Sequence, residues 1–240
     1  MTEQLYRADA YQRDCTATVI GVNERGGIIL DRTVFYAAAG GQPGDRGTLE
    51  FDGLGRCPIA TTVYDADKTT IVHVPAEGAP APLPGQEVRA ALNWEARLKH
   101  MRMHTALHLL CALVKFPVTG GQIGAEESRL DFDIAEASAV DKETLTSELH
   151  ALIAADHPVG ERWISDAELA ANPQLVRTMA VKPPVGSGRV RLVVIGKDGE
   201  IDLQPCGGTH VRATGQIGPI AVTKIEKKGK QNRRIRIAFA

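Results

Sequence analysis

Aromatic side chains are scarce in this chain of 240 residues, at 5% of the total, so its cores must rest on aliphatic residues. Cysteine is scarcer. Cys15, Cys57, Cys111 and Cys206 never approach Cys-x-x-Cys spacing, and four are too few for a disulfide framework at this length. No apolar run reaches the roughly 18 residues needed to span a membrane. The opening Met-Thr-Glu-Gln-Leu-Tyr-Arg lacks the basic-then-apolar pattern of a secretory signal. A reduced, cytoplasmic protein is expected. An excess of one charge is missing too: 28 Lys and Arg stand against 29 Asp and Glu, a net charge of −1. At face value that balance argues against a polyanionic partner. With 43% hydrophobic and 24% charged residues, the chain is neither disordered, a coiled coil nor a membrane protein.

Turn formers are plentiful, with 24 Gly and 13 Pro. Between residues 15 and 91 they punctuate short strand-like runs: Thr16–Val22, Ile28–Leu30, Thr48–Phe51, Cys57–Tyr64, Thr69–Val74 and Glu87–Leu92. Such spacing predicts a small closed β-barrel. Pro75, Pro80, Pro82 and Pro84 favour extended backbone, joining either two domains or two strands of the barrel. The texture changes near Asn93, which can cap a helix from Trp94 to about Lys115 that Pro117 stops. Helix and strand patterns then alternate to the end, Arg189–Ile195 being the strongest β run. The expected architecture is a barrel domain over residues 1–92 followed by an α+β domain over 93–240.

Three histidines, His100, His104 and His108, recur at steps of four along the helix, and an i, i+4 pair can share a metal. Far downstream stands Cys206-Gly207-Gly208-Thr209-His210, where two glycines permit a tight bend that aims sulfur and imidazole at one point. Two of these helix histidines with Cys206 and His210 make a His₃Cys set suited to one Zn²⁺ per chain; His100 faces the right way too, and only a family resemblance selects His104 and His108. Four protein ligands usually close a structural site, whereas a catalytic one keeps a position for water. The spacing leaves open whether the metal activates water or only positions a substrate.

His104-Thr-Ala-Leu-His108 and Pro205-Cys206-Gly-Gly-Thr-His210 resemble the paired motifs of the alanyl-tRNA synthetase editing domain and its free-standing AlaX relatives. Thr33 through Gly40-Gly41-Gln42 to Gly47 resembles the glycine-rich motif of that family's N-terminal barrel, although Ala38 and Ala39 depart from its pattern. Gly121-Gln122-Ile123-Gly124 and Asn232-Arg233-Arg234-Ile235 also match, so the resemblance covers the chain in order. With nothing resembling an aminoacylation domain or a C-terminal extension, the medium-length class is the expected one. The resemblance implies a barrel followed by an editing domain of the threonyl/alanyl-tRNA synthetase second-additional-domain type. It implies a trans-editing deacylase, acting on tRNA(Ala) that carries serine and in some cases glycine. The alternatives are a non-catalytic zinc-stabilised tRNA-binding module and an editor of another mischarged tRNA, such as a threonyl-type deacylase.

Serine differs from alanine by one hydroxyl, and an editor must spare alanine; a required hydrogen bond to that hydroxyl achieves this. The resemblance makes Thr33 and Gln122 candidates for it, with Gly40, Gly41, Gln42, Gly207, Gly208 and Thr209 as further substrate contacts. Phosphate contact falls to Lys224, Lys227, Lys228, Lys230, Arg233, Arg234 and Arg236, seven cations against Glu226 alone. Arg97, Lys99 and Arg102 form a smaller basic group. Acid concentrates between Glu126 and Glu143, so the near-zero total hides a separation of signs along the chain.

Overall fold

A computed structural model describes residues 2–51, 55–134, 140–178, 188–229 and 231–240. The chain divides into two compact units, Met1–Leu98 and Lys99–Ala240. The strands of the first unit are β1 (Glu3–Gln4), β2 (Asp14–Val22), β3 (Ile28–Leu30), β4 (Arg32–Thr33), β5 (Gly47–Phe51), β6 (Gly55–Tyr64), β7 (Ile71–Pro75) and β8 (Glu87–Leu92). Six of them close an antiparallel barrel in the order β2-β3-β7-β6-β5-β8, and β1 pairs with β4 alongside. Period-two alternation turns Val19, Leu30, Leu49, Ile59 and Val88 into a shared aliphatic interior that also holds Phe35. The proline-rich stretch joins β7 to β8, so it is a connection inside the barrel.

The glycine-rich segment forms a closed loop between β4 and β5. Ala39 and Gln42 exchange backbone hydrogen bonds around Gly40 and Gly41, whose φ of 58° and 84° lie in the left-handed region that favours glycine. Asp45 secures the base of the loop by accepting from the Tyr36 amide at 2.6 Å. It also accepts from Arg97, a wholly buried guanidinium that donates further to the carbonyls of Ala10 and Val34. Arg97 therefore serves the interior of the first unit and cannot belong to a phosphate surface, correcting the expectation for that residue. The same contacts tie the first turn of the helix to the barrel within the first unit.

The helix α1 (Trp94–Leu113) starts at Asn93, whose side chain accepts from the Ala96 amide at 3.0 Å. From Met103 to Cys111 it is buried on every side, as befits a central helix. The second unit continues with β9 (Val118–Gln122), β10 (Glu127–Asp133), α2 (Lys142–Ala154), β11 (Val159–Ser165), α3 (Asp166–Ala171), β12 (Arg189–Ile195), β13 (Asp202–Pro205), β14 (Ile220–Lys228) and β15 (Asn232–Phe239). These strands make two antiparallel sheets, β14-β15-β10-β9 and β11-β12-β13. Asp141 caps α2 as its side chain accepts from Thr144, and Ser165 with Glu168 forms a capping box on α3. Among the described residues, no helix is long and apolar enough to cross a membrane.

Candidate metal centre

Helix periodicity puts His104 and His108 on one stripe of α1, and β13 delivers the other half of the site. Asp202, Gln204 and Cys206 alternate along that strand and its exit, so all three address one face. The turn after it brings His210 back to Cys206. The donor atoms of His104, His108, Cys206 and His210 all lie within 4.8 Å of one another. Cys206 Sγ sits 3.5 Å from His104 Nε2 and 3.3 Å from His210 Nε2. Zinc–sulfur and zinc–nitrogen bonds of about 2.3 and 2.0 Å at a tetrahedral angle require a sulfur–nitrogen edge of about 3.5 Å. The residues fit a zinc ion.

Two further contacts fix which nitrogen each ring presents. His108 Nδ1 donates to Asp202 Oδ2 at 2.7 Å, which leaves Nε2 as the metal-facing lone pair. Asp202 is itself held by Gln204 Nε2 at 2.8 Å. The Thr105 hydroxyl donates to Met101 O and accepts from His210 Nδ1 at 3.2 Å, so His210 also turns Nε2 inward. Asp202, Gln204 and Thr105 escaped the sequence reading. The usable signal was Asp-x-Gln-x-Cys spacing for the first two, and for Thr105 its place between the two helix histidines.

The electrostatics favour a soft cation. Burial opposes a Cys206 thiolate, but the adjacent His104 and His210 overcome it and hold the thiol well below its usual range. Burial likewise opposes a charged His108, yet Asp202 and Cys206 push it up to about 10. Burial, with His104 beside it, holds His210 well below the imidazole range. The pocket is thus built for positive charge at its centre. The Gly208 amide points at Cys206 Sγ at 3.4 Å, and Arg191 ties the turn by donating to the carbonyls of Cys206 and Gly208 at 2.9 and 3.0 Å. Gly207 is exposed on this turn, while Gly208 and Thr209 are buried.

Each of the other candidates is placed within its own unit. Thr33 is fully buried in the first unit; its hydroxyl donates to His73 Nε2 at 2.8 Å and accepts from the Phe35 amide at 3.0 Å. Burial holds His73 down to about 4, so that ring is a neutral acceptor. Gln42 is buried, while Gly40 and Gly41 are exposed. Gln122 ends β9 in the open and accepts from Arg129 at 3.4 Å.

The basic segment is largely answered by acid from β10. Arg234 makes a paired contact with Asp131 at 2.7 and 2.9 Å, and Arg236 bridges Glu127 and Glu226. Lys224 pairs with Glu226, and Arg233 is buried. Lys227 and Lys228 stand exposed at the end of the β14–β15 hairpin, and Lys230 lies outside the described residues. The signs that are separated along the sequence are therefore interleaved in space. In the smaller group, Lys99 pairs with Glu126, while Arg102 lies over the Phe239 ring at 4.1 Å and donates to Ile217 O.

Residues 190–236 match the family described as the threonyl and alanyl tRNA synthetase second additional domain, and residues 8–96 match class II (A) tRNA synthetases. Alanyl-tRNA editing protein AlaX-M of Methanosarcina acetivorans is 36% identical over 98% of each chain. AlaX-L of Pyrococcus horikoshii is 32% identical over 98% of this chain and 57% of its own length. Alanine–tRNA ligase of Pyrobaculum neutrophilum is 33% identical over 94% of this chain and 25% of its own. A near full-length match to AlaX-M, with both halves of the His₃Cys cluster in place, means that the chain belongs to the alanyl-tRNA editing protein family.

Proposed function

We propose that the chain is an aminoacyl-tRNA deacylase that works in trans, hydrolysing the ester between tRNA(Ala) and a wrong amino acid, serine first and glycine next. The observation that carries this reading is the His₃Cys cluster with its rings already oriented by Asp202 and Thr105. His104, His108, Cys206 and His210 would hold Zn²⁺, which when bound supplies Lewis acidity towards the ester carbonyl or the attacking water. The chain's own contribution is placement: Asp202 and Thr105 fix the rings, and Arg191 fixes the turn through Gly207, Gly208 and Thr209 on which the ester end is held.

Selectivity requires a polar group left unpaired by alanine. Thr33 and Gln122 are assigned that role, with Gly40, Gly41 and Gln42 contributing backbone and amide contacts. Because the Thr33 hydroxyl already binds His73 and Phe35, the readout is the Ser-tRNA to Ala-tRNA rate ratio in Thr33→Val and not the rate alone. Lys227 and Lys228 are assigned to phosphate, ahead of Lys224, Arg233, Arg234 and Arg236.

Joint replacement Cys206→Ala and His104→Ala should abolish zinc content and Ser-tRNA(Ala) deacylation together; retention of both overturns the reading. Turnover with catalytic amounts of protein excludes the non-catalytic module. A panel of mischarged tRNAs separates an alanyl from a threonyl editor.

A further inference from the structure

Large aromatics on the surface are rare here: among the described residues only Phe116 and Trp163 are exposed ones. Trp163 lies on β11, the edge strand of the β11-β12-β13 sheet. Its ring is not bare, because the Arg189 guanidinium carbon lies 5.1 Å from the ring centre. An exposed indole beside a guanidinium is the arrangement that binds single-stranded nucleic acid: every base has a face to stack, and the adjoining phosphate finds a cation.

Register places this pair with respect to the metal centre. Trp163 is opposite Arg191, and Leu192 is opposite Pro205, so Arg191 is the neighbour of Cys206 in the next strand; the Cys206 amide donates to Arg191 O at 3.1 Å. The separation from Trp163 to Cys206 is thus two strand spacings, roughly 10 Å. Side chains trace the same row. The Trp163 indole N–H donates to Glu161 at 3.3 Å, Arg191 donates to Glu161 at 2.5 Å, and the other arm of Arg191 holds the carbonyls of Cys206 and Gly208. A hydrogen-bonded chain runs unbroken from the exposed ring to the turn that carries two of the metal ligands.

We infer that Trp163 with Arg189 is a stacking platform for an unpaired base next to the acylated 3′ end of the tRNA. The span is suited to a nucleotide whose base rests on the indole while its chain continues to the ester at the metal centre. Glu161 and Arg191 are positioning residues that keep platform and turn in one register. This inference rests on the deacylase reading and adds the subsite that orients its substrate.

The test uses the zinc-loaded protein and Ser-tRNA(Ala). Trp163→Ala should raise KM about 5- to 150-fold, the range of one base–aromatic stack, with kcat retained at saturation. Trp163→Phe, which keeps a stacking ring, should restore most of that loss. Unchanged KM in both variants, or equal losses in both, overturns the platform while leaving the deacylase reading intact. A second readout is independent of turnover. Uncharged tRNA should quench the fluorescence that wild type has in excess of Trp163→Phe, and absence of that quench overturns the platform. If wild type binds and quenches but hydrolyses no mischarged tRNA, the deacylase reading fails and the platform stands.

Discussion

The sharpest consequence of the metal-centre geometry concerns a residue that would touch no metal. Asp202 is 4% exposed and receives two hydrogen bonds on one oxygen, from His108 Nδ1 at 2.7 Å and Gln204 Nε2 at 2.8 Å. In Asp202→Asn a carboxamide oxygen can occupy that same position and accept both, so the His108 tautomer survives and only the negative charge is lost. Affinity for Zn²⁺ should fall about tenfold, near 1.4 kcal/mol. In Asp202→Ala the ring N–H loses its acceptor, and the Gln204 amide, 3.2 Å from His108 Nδ1, can donate to that nitrogen and favour the wrong tautomer. There the loss should approach 100-fold, about 2.7 kcal/mol. Competition against a chromogenic chelator measures both variants, with fold checked by far-ultraviolet circular dichroism. If Asp202→Ala binds zinc as tightly as wild type, Asp202 does not orient His108. If Asn and Ala lose affinity equally, charge matters and ring orientation does not.

Three other outcomes are expected. His73 is wholly buried and held down to about 4, below its unfolded value of about 6.5; the unfolded chain therefore binds the extra proton first, and stability should be complete above about pH 6.5 and fall by roughly 3 kcal/mol towards pH 4. Urea titrations across that window should show this slope flattened in His73→Gln. Removing one member of the buried pair, by Asp45→Asn or Arg97→Met, should destabilise the protein by about 3–5 kcal/mol, and the double variant should recover much of it in a mutant cycle. For tRNA, Lys227→Gln with Lys228→Gln should lower the magnitude of the slope of log affinity against log salt by about 0.7–0.9 per lost phosphate contact. Arg234→Gln, which breaks the Asp131 pair, should change stability more than that slope.

The barrel was readable because each run from Thr16 to Leu92 is bounded by turn residues; only half of its pairings, β2–β3, β5–β6 and β6–β7, join neighbours in sequence, and the order that closes it through β2–β8 was not legible. The metal set was readable because helix spacing and the two glycines at 207 and 208 leave little freedom. Strand β13 was missed since four residues carrying Asp202, Gln204 and Pro205 do not read as a strand; their polarity serves the site and not the sheet. Arg97 misled for a related reason. A cation one turn from a histidine pair reads as surface, and its partner Asp45 is 52 residues away. The same blindness affected the basic segment, whose neutralising carboxylates on β10 lie about a hundred residues upstream, as in the 103-residue separation of Arg234 from Asp131. Composition counts charges, whereas only pairing across strands says which of them remain available.

That pairing has a consequence for how the second unit is made. β15 lies between β14 and β10, so β10 has its sheet neighbour on that side only after residues 232–239 exist. At about 5–20 residues per second, β10 waits on the order of 5–20 s during synthesis with the backbone groups on that edge unpaired. The carboxylates of Glu127 and Asp131 keep one face of the strand wet in the meantime, and when β15 arrives they act as a key. A slip of β15 by one residue would turn Arg234 and Arg236 into the core and Ile235 and Ile237 out to solvent, away from Asp131 and Glu127. The interleaved charges thus guard the folding step, and the waiting strand sets the moment at which this unit can first close.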